Sequence, residues 1–326
     1  MVTLDEYEVI EDKNKSYKGY ILAFIGAFVL SFDTLLIKLS YDDLNTWIIL
    51  FYRYIFYFLG SFIFVLCTEK CNIKNITNNL DKYDLLAILS LSTCNICFTN
   101  AVLLISITNT LAMYATSPIL TSILNYFILK ERLYWWTILV LIIVTSTILY
   151  IVIDDMMKER SNENSTLGYI LALLATISTS LYFTIIKYIK IKIPDKNILR
   201  IIPYSALLTV VFSLIFIWAN QLSFTLSNKS LSYLSIQGIV ILTFSFLSLT
   251  YSTNYISSSE SNLMILLETI LAPIWLNIFH IEHITTSTII GLSIVVTFLF
   301  LNSLITIFYE KRVKHEPTKN SNVSTC

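Results

Sequence analysis

The feature of this sequence that most restricts its fold is a series of long apolar segments, each close to the length that crosses a lipid bilayer. A hydrocarbon core about 30 Å thick is spanned by about 20 apolar residues in a helix that rises about 1.5 Å per residue. Ten segments meet this requirement: 19–40, 45–67, 83–105, 108–129, 134–153, 167–188, 198–219, 234–255, 261–280 and 286–308. The sequence therefore predicts an all-α integral membrane protein with ten transmembrane helices.

The composition agrees with a membrane protein and argues against a nucleic-acid partner. Apolar residues make up 56% of the chain and charged residues only 13%, whereas a soluble domain carries roughly 25% charged residues. Lys plus Arg equal Asp plus Glu at 22 each. The chain therefore lacks the basic excess of a nucleic-acid-binding surface, and we expect the lipid bilayer, but no nucleic acid, among its partners.

Motifs that would indicate an enzyme are missing from the sequence. It contains no GxSxG, no HExxH and no glycine-rich phosphate loop ending in GKS or GKT. Cys94 and Cys97 form a CxxC within an apolar segment, but no histidine or carboxylate flanks them to complete a zinc site. We therefore expect no catalytic residues, no cofactor and no bound metal.

The distribution of Lys and Arg predicts the orientation. Fifteen of them fall in the segments on one side of the predicted bundle and three on the other. Because cytoplasmic loops are enriched in Lys and Arg, we expect both termini in the cytosol. The predicted order is a cytosolic tail, a five-helix repeat, an outer loop, a second five-helix repeat and a cytosolic tail: 1–18, 19–153, 154–166, 167–308 and 309–326. The sequence leaves open whether the membrane is the plasma membrane or an internal one.

The two sets of five helices are related by an internal repeat. Residues 19–38 and 168–187 are identical at eight of twenty positions, including the opening GYILA and the closing lysine. Arg53 and Arg200 correspond at an offset of 147, and Glu131 and Glu282 at an offset of 151. Because five is odd, the second copy enters the membrane from the opposite side. The pattern thus predicts two inverted repeats with a solute site near the midplane between them.

Several segments of this sequence resemble the drug/metabolite transporter superfamily, and within it the EamA-like carriers with ten spans. The resemblance rests on Arg53 in FYRYIFYF, on TNTLAMYATSPILTSILNYFILKERL, and on SNLMILLETILAPIWLNIFHIEHITTSTIIG, which contains Glu268, Pro273, Glu282 and Gly291. It covers residues 19–308. The resemblance implies a secondary transporter for a small solute.

Charges inside spans are the strongest candidates for solute or proton binding, because they are costly in a bilayer and usually face the bundle interior. Asp33 and Arg53 lie at similar depths, roughly 10 and 12 Å from the outer face at about 1.5 Å per residue. We expect them to form an ion pair in which each compensates the burial of the other. In the alternative interpretation, one or both extend to the lipid headgroups.

A second candidate group lies in the ninth and seventh spans. Glu268 could carry a proton or bind a cationic group of the solute, and Arg200 is a candidate partner for it. The alternative role for Glu268 is a hydrogen bond between helices that positions the ninth span. Pro118 and Pro273 should kink the fourth and ninth spans, and the carbonyls that they free could bind solute or simply serve packing.

These observations favour a secondary transporter that moves a small metabolite or organic solute by alternating access, with proton coupling as one version of the mechanism. The first alternative is an exchanger of nucleotide sugars or sugar phosphates, which should present several cations to a phosphate, whereas only Arg53 lies clearly within a span. The second alternative is a receptor or scaffold that transports nothing. Both a monomer and a homodimer are compatible with the sequence.

Overall fold

The computed structural model describes residues 4–41, 45–68, 80–130, 163–193, 196–256 and 258–281, with individual positions in 135–150 and 289–305. Within these residues, all regular secondary structure is helical. The elements are α1 Leu4–Leu30, α2 Asp33–Ser40, α3 Thr46–Thr68, α4 Lys82–Leu104, α5 Ile107–Tyr114, α6 Ser117–Leu129, α7 Glu163–Lys192, α8 Ile201–Ala219, α9 Asn228–Ile236, α10 Thr243–Ser252, α11 Ser258–Met264 and α12 Leu266–Ile278. A 3₁₀ turn, Ile198–Arg200, leads into α8, and a π-helical segment, Gln237–Leu242, joins α9 to α10.

These elements form eight helices in the described part of the chain that are long and apolar enough to cross a membrane. We number them spans 1 to 4 and 6 to 9, after the predicted segments that they match: Tyr17–Ser40, Thr46–Thr68, Lys82–Leu104, Ile107–Leu129, Ser165–Lys192, Ile198–Ala219, Asn228–Ser252 and Glu260–Ile278. The predicted spans 134–153 and 286–308 lie largely outside the described residues. Span 8 begins six residues before the predicted 234, because a polar turn precedes the apolar segment and Ser227 caps its first amides.

Three of the described spans are interrupted by a short break in the helix. Span 1 breaks at Ser31 and Phe32, between α1 and α2, and span 4 breaks at Ala115 and Thr116, immediately before Pro118. Span 9 breaks at Ile265, whereas Pro273 lies within the continuous helix α12. Pro118 therefore lies in the first turn of a half-helix, as its missing amide allows, whereas the helix continues past Pro273.

Close contacts between spans of the two halves use the small residues at their starts. Gly19, at the start of span 1, packs on Tyr255 and Ile256 just after span 8, and Gly168, at the start of span 6, packs on the end of span 3 at Ile105. At the other end of span 6, the Lys192 ammonium donates to the Tyr83 hydroxyl at the start of span 3. Span 6 therefore runs antiparallel to span 3.

Buried hydroxyl groups allow the remaining helices to pack closely although the chain has only six glycines. Ser61 donates to the Tyr57 carbonyl and Thr121 to the Ser117 carbonyl, each one turn earlier in its own helix. A hydroxyl satisfied in this way can sit at a helix interface without a partner on the next helix. Ser and Thr therefore take the place of glycine at these contacts.

Gly238 gives the first test of this packing. A Cβ atom at this position would lie 2.6 Å from the Arg53 carbonyl oxygen and 2.7 Å from the Tyr57 amide nitrogen, which are backbone atoms that cannot rotate away. Gly238→Ala is therefore expected to lower the free energy of unfolding by roughly 1–3 kcal/mol. Unfolding of the purified protein in detergent measures this. Ser232→Ala, on an exposed face of the same span, is the control, and equal stability of both variants would contradict the packing.

Candidate functional site

The centre of the bundle contains the predicted ion pair. The Arg53 Nη2 atom lies 2.5 Å from the Asp33 Oδ2 atom, and the two side chains are 1% and 2% exposed. Asp33 is the first residue of α2, directly after the break in span 1, where the free amides of a helix N-terminus favour a negative charge. Neither side chain extends to the headgroups, so the alternative interpretation for these two residues is wrong.

Two further side chains extend the pair into a network. The Gln237 side-chain amide donates to the Asp33 Oδ1 atom and to the Asp33 carbonyl, both at 2.8 Å. Arg53 Nη1 donates to the Thr99 hydroxyl at 2.7 Å, and the guanidinium lies 5.1 Å from the centre of the Tyr54 ring. Spans 1, 2, 3 and 8 therefore meet at one charged pair.

Sequence reasoning missed Gln237, although it is the most polar side chain in its part of span 8. It is the first residue of the π-helical segment, and such a segment alters the direction of side chains relative to an ordinary α-helix. Gly238 beside it lets this segment approach the backbone of span 2. The signal in the sequence was a lone glutamine followed by a glycine inside an apolar run.

Glu268 lies in the bundle interior near the Asp33–Arg53 pair, but within the described residues no cation or hydrogen-bond donor contacts its carboxyl group. It is in the first turn of α12, just after the break in span 9, and is 2% exposed. Its charge interacts with those of Asp33 and Arg53, but its carboxyl group makes no hydrogen bond or ion pair within the described residues. The structure thus brings Asp33, Arg53 and Glu268 together, and it leaves Glu268 as the uncompensated member.

The three charged residues line a small central cavity. Its other lining residues are mostly aromatic, small or polar: Leu30, Tyr54, Cys94, Asn95, Phe98, Tyr114, Leu242 and Phe246. The cavity has a volume of about 20 Å³, enough for a water molecule but far below the roughly 300 Å³ at which small-molecule sites begin. The site therefore has no room for a solute in this structure.

Two of the lining residues, Cys94 and Tyr114, connect the cavity to hydroxyl groups of the second half of the chain. The Tyr114 hydroxyl and the Cys94 sulfur each lie 2.8 Å from the Thr179 hydroxyl. The Tyr182 hydroxyl, at the position that corresponds to Asp33 in the repeat, lies 2.8 Å from the Thr250 hydroxyl. At the position equivalent to Asp33, the second half therefore contributes a neutral hydrogen-bonding group in place of a charge. Such residues are common in apolar helices, so this cluster could not be predicted from the sequence.

Arg200 does not partner Glu268. Its Nη2 atom lies 3.1 Å from the Asp84 Oδ2 atom at the start of span 3, and the Lys196 ammonium lies 2.8 Å from the same oxygen. Arg200 belongs to the 3₁₀ turn before α8, at the end of the bundle, so the proposed partnership is a wrong prediction.

An exposed carboxyl completes this group of charges at the end of the bundle. The Lys196 ammonium donates to the Asp81 Oδ2 atom at 2.7 Å. This hydrogen bond, together with the positive charge of Lys196, holds the pKa of Asp81 below its usual value. The resulting contribution to stability is complete above the ordinary aspartate pKa of about 3.9, and it is lost as the pH falls further.

Pro118 and Pro273 are not among the residues that line the cavity. The residue before Pro118 instead ties the two broken spans together. The Ser117 hydroxyl donates to the Asn262 side-chain oxygen at 3.2 Å, and the Asn262 amide donates to Thr121 at 2.8 Å. The Ser117 carbonyl also accepts a hydrogen bond from Ser180 of span 6 at 2.9 Å. The break in span 4 therefore joins spans 6 and 9.

Removing one charge of the central pair should harm the fold more than removing both. Loss of one partner of a buried pair leaves the other uncompensated, at a cost of about 3–5 kcal/mol. Arg53→Gln should be worse than Asp33→Asn, because it leaves two carboxyls, Asp33 and Glu268, facing the cavity. The double variant leaves Glu268 as the one charged side chain of the three and should be more stable than Arg53→Gln.

Unfolding of the two single variants and the double variant in detergent, as a double-mutant cycle, measures this coupling. Asp81→Asn removes a carboxyl that is exposed at the bundle end, and it serves as the control with little expected effect. Strictly additive effects of Asp33→Asn and Arg53→Gln would contradict the coupling.

Comparisons with known proteins agree with this architecture. The model of the EamA-like transporter family matches the chain twice, at residues 17–153 and 166–304. No curated protein matches the chain. A crystal structure of another protein has the same fold, with a TM-score of 0.67 and 13% sequence identity over 89% of this chain and 98% of the other. The two family matches cover most of the sequence, and the chain belongs to the EamA-like transporter family, whose members are multi-pass integral membrane transporters rather than enzymes.

Proposed function

We propose that the protein is a secondary transporter that moves a small metabolite or organic solute by alternating access between two inverted five-helix repeats. The observation that carries this proposal is the small central cavity lined by the buried charges of Asp33, Arg53 and Glu268. A buried site with intramembrane charges has a clear use in a transporter, which must enclose its solute at mid-membrane.

The inverted repeat is supported by matched contacts in the two halves. Gly19 packs on Ile256, and Gly168 packs on Ile105. These pairs are equivalent in the repeat, at offsets of 149 and 151. Each first span thus meets the end of the third span of the other half, as a two-fold axis in the membrane plane would require. The Lys and Arg bias supports both termini on the cytosolic side.

The positions of the interruptions support a change of conformation around the site. Spans 1, 4 and 9 are broken close to the cavity, and span 8 carries its π-helical segment there. Non-helical backbone at membrane depth is tolerated where it lines a cavity or is buried in protein. The half-helices on the two sides of such a break can tilt separately, which lets one end of the bundle open while the other stays closed.

Glu268 is our candidate for proton coupling. An ionised carboxylate is costly to bury without a hydrogen-bond donor, and Arg53, the nearest cation among the lining residues, is already bonded to Asp33. The carboxylate of Glu268 is therefore stabilised when it binds either a proton or a cationic group of the solute. It does not bind both at once, because either one neutralises its charge. Competition between the two would couple the solute to the proton gradient.

The exchange of sugar phosphates or nucleotide sugars is less well supported by this geometry. A phosphate needs several free cations, but Arg53 is the one cation that lines the cavity in the described residues, and it is paired. Arg200 and Lys196 bond to Asp84 at the bundle end. A receptor or scaffold would have no need of the two access states that an inverted repeat provides.

Transport by the purified protein in liposomes tests the proposed function. We expect uptake of at least one member of a panel of amines, amino acids and other small metabolites. Imposing a pH gradient should change the rate if a proton moves with the solute or against it. Absence of flux for every solute, together with no ligand-induced rise in the unfolding temperature, would contradict transport and favour the scaffold.

Glu268→Gln isolates the proton step. The amide cannot ionise, so the variant is expected to transport at the same rate with and without the pH gradient. Glu260→Gln is the matched control, because Glu260 is in the same span but accepts a hydrogen bond from Tyr20 and does not line the cavity. An unchanged response of Glu268→Gln to the gradient would exclude this residue as the proton carrier.

A further inference from the structure

Two hydrogen bonds between the halves of the chain occupy equivalent positions in the repeat. The Tyr20 hydroxyl donates to the Glu260 Oε1 atom at 2.6 Å, and the Asn109 side-chain amide donates to the Tyr169 hydroxyl at 3.3 Å. The two tyrosines are 149 positions apart, and Asn109 and Glu260 are 151 apart, which are the offsets of the repeat. Each bond therefore joins the first span of one half to the fourth span of the other.

The two bonds lie at opposite ends of the bundle. Arg53 bonds to both Asp33 and Thr99, which lie well past the middle of spans 1 and 3. Spans 1 and 3 therefore run in the same direction, and Tyr20, near the start of span 1, lies at the end of the bundle where span 3 begins. Asn109 lies where span 3 ends, in the first turn of span 4.

Each bond holds a short half-helix between the central cavity and one end of the bundle. Glu260 belongs to α11, which a break at Ile265 separates from the cavity residue Glu268. Asn109 belongs to α5, which ends at Tyr114, another cavity residue. At about 1.5 Å per residue, Glu260 and Asn109 precede these cavity residues by roughly 12 and 8 Å. The cavity therefore has one of these bonds on either side of it.

The two bonds differ in chemistry. Glu260 presents a carboxylate to the hydroxyl of Tyr20, whereas its equivalent, Asn109, presents a neutral amide to Tyr169. A hydrogen bond to an ionised group is shorter and roughly twice as strong as one between neutral groups. The lengths of 2.6 and 3.3 Å agree with this difference, so the bond at the Glu260 end is the stronger one.

A second contact adds to the difference between the ends. The Ser261 hydroxyl, next to Glu260, lies 2.8 Å from the Ser252 hydroxyl of span 8. The equivalent residues in the first half are Thr110 and Ala101, at the same offset of 151. Alanine has no hydroxyl, and the Thr110 hydroxyl donates within its own half-helix, to the carbonyl one turn earlier. This bond between spans is therefore present at the Glu260 end and missing at the other.

We propose that the two hydrogen bonds are latches, each of which must part before a solute can pass its end of the bundle, and that the Tyr20–Glu260 latch is the stronger. This inference rests on the proposed function, because it assigns residues to the two ends that open in alternating access. Without solute, the protein opens more readily at the Asn109–Tyr169 latch. In the proposed orientation, with both termini in the cytosol, this latch lies at the outer end.

The experiment uses Cys94 as the reporter, because it lines the central cavity, in protein with serine at the other four cysteines. The protein is reconstituted in liposomes in one orientation, without solute, and a membrane-impermeant thiol reagent is added from either side in separate samples. The measured quantity is the rate of reaction from the Tyr20 side divided by the rate from the Asn109 side. A tag at the N-terminus identifies the Tyr20 side, since Tyr20 is near the start of the first span.

The two tyrosine-to-phenylalanine variants should shift this ratio in opposite directions. Tyr20→Phe removes one hydroxyl and should raise the ratio at least about tenfold, as expected for loss of a hydrogen bond to a charged group. Tyr169→Phe should lower it about threefold, as expected for loss of a neutral hydrogen bond. A general loss of stability would raise both rates and leave the ratio without these opposite shifts.

Tyr255→Phe is the matched control. The Tyr255 hydroxyl is at the same end as Tyr20, but it donates to Tyr251 within the second half, so its loss should leave the ratio unchanged. Glu260→Gln makes the stronger latch neutral and should raise the ratio as Tyr20→Phe does. It replaces Tyr20→Phe if the latter does not fold, as judged by its unfolding temperature. In transport assays, Glu260→Gln should change the rate but keep the response to a pH gradient, which depends on Glu268.

The proposal is overturned if Tyr20→Phe leaves the ratio unchanged, if both variants shift it in the same direction, or if Tyr169→Phe has the larger effect. Absence of reaction from both sides in every variant would overturn it as well, because a weakened latch should part. Solute flux enters none of these measurements, so the two claims fail separately. Opposite shifts in a protein that transports nothing support the latches and contradict the proposed function, whereas transport without these shifts contradicts the latches alone.

Discussion

The buried ion pair between Asp33 and Arg53 is the interaction on which the rest of the structure depends. Two charges in a bilayer are tolerable only if each has partners, and here those partners come from Thr99 and Gln237 as well. The pair therefore fixes how spans 1, 2, 3 and 8 meet. The break after Phe32, the π-helical segment at Gln237 and the close approach of Gly238 all serve this meeting point.

The arrangement around the pair is asymmetric, although the chain is built from a repeat. Asp33 and Glu268 correspond to Tyr182 and Ser117, which make neutral hydrogen bonds with Thr250 and Asn262. The two repeats can thus share a backbone plan, although in each of these two sets of equivalent residues only one residue is charged. In this structure the site has room for little more than a water molecule.

Much of the fold could be predicted from the sequence, because the length and hydropathy of each span depend on local composition. The pairing of Asp33 with Arg53 was also predictable, since equal depth in adjacent spans leaves few alternative partners. The partner of Arg200 was not, because Asp84 lies 116 residues earlier and looks like an ordinary helix start. The break at Ile265 and the role of Gln237 also depend on contacts between distant spans, which hydropathy does not report.

The most direct test of the account is the accessibility of Cys94, which lines the central cavity, in a variant with serine at the other four cysteines. A membrane-impermeant thiol reagent is applied to liposomes of uniformly oriented protein, from one side and then, in a separate sample, from the other. Alternating access predicts that Cys94 reacts from both sides, and more slowly when a transported solute is present. Reaction from one side alone, at a rate that no solute changes, would contradict the central claim.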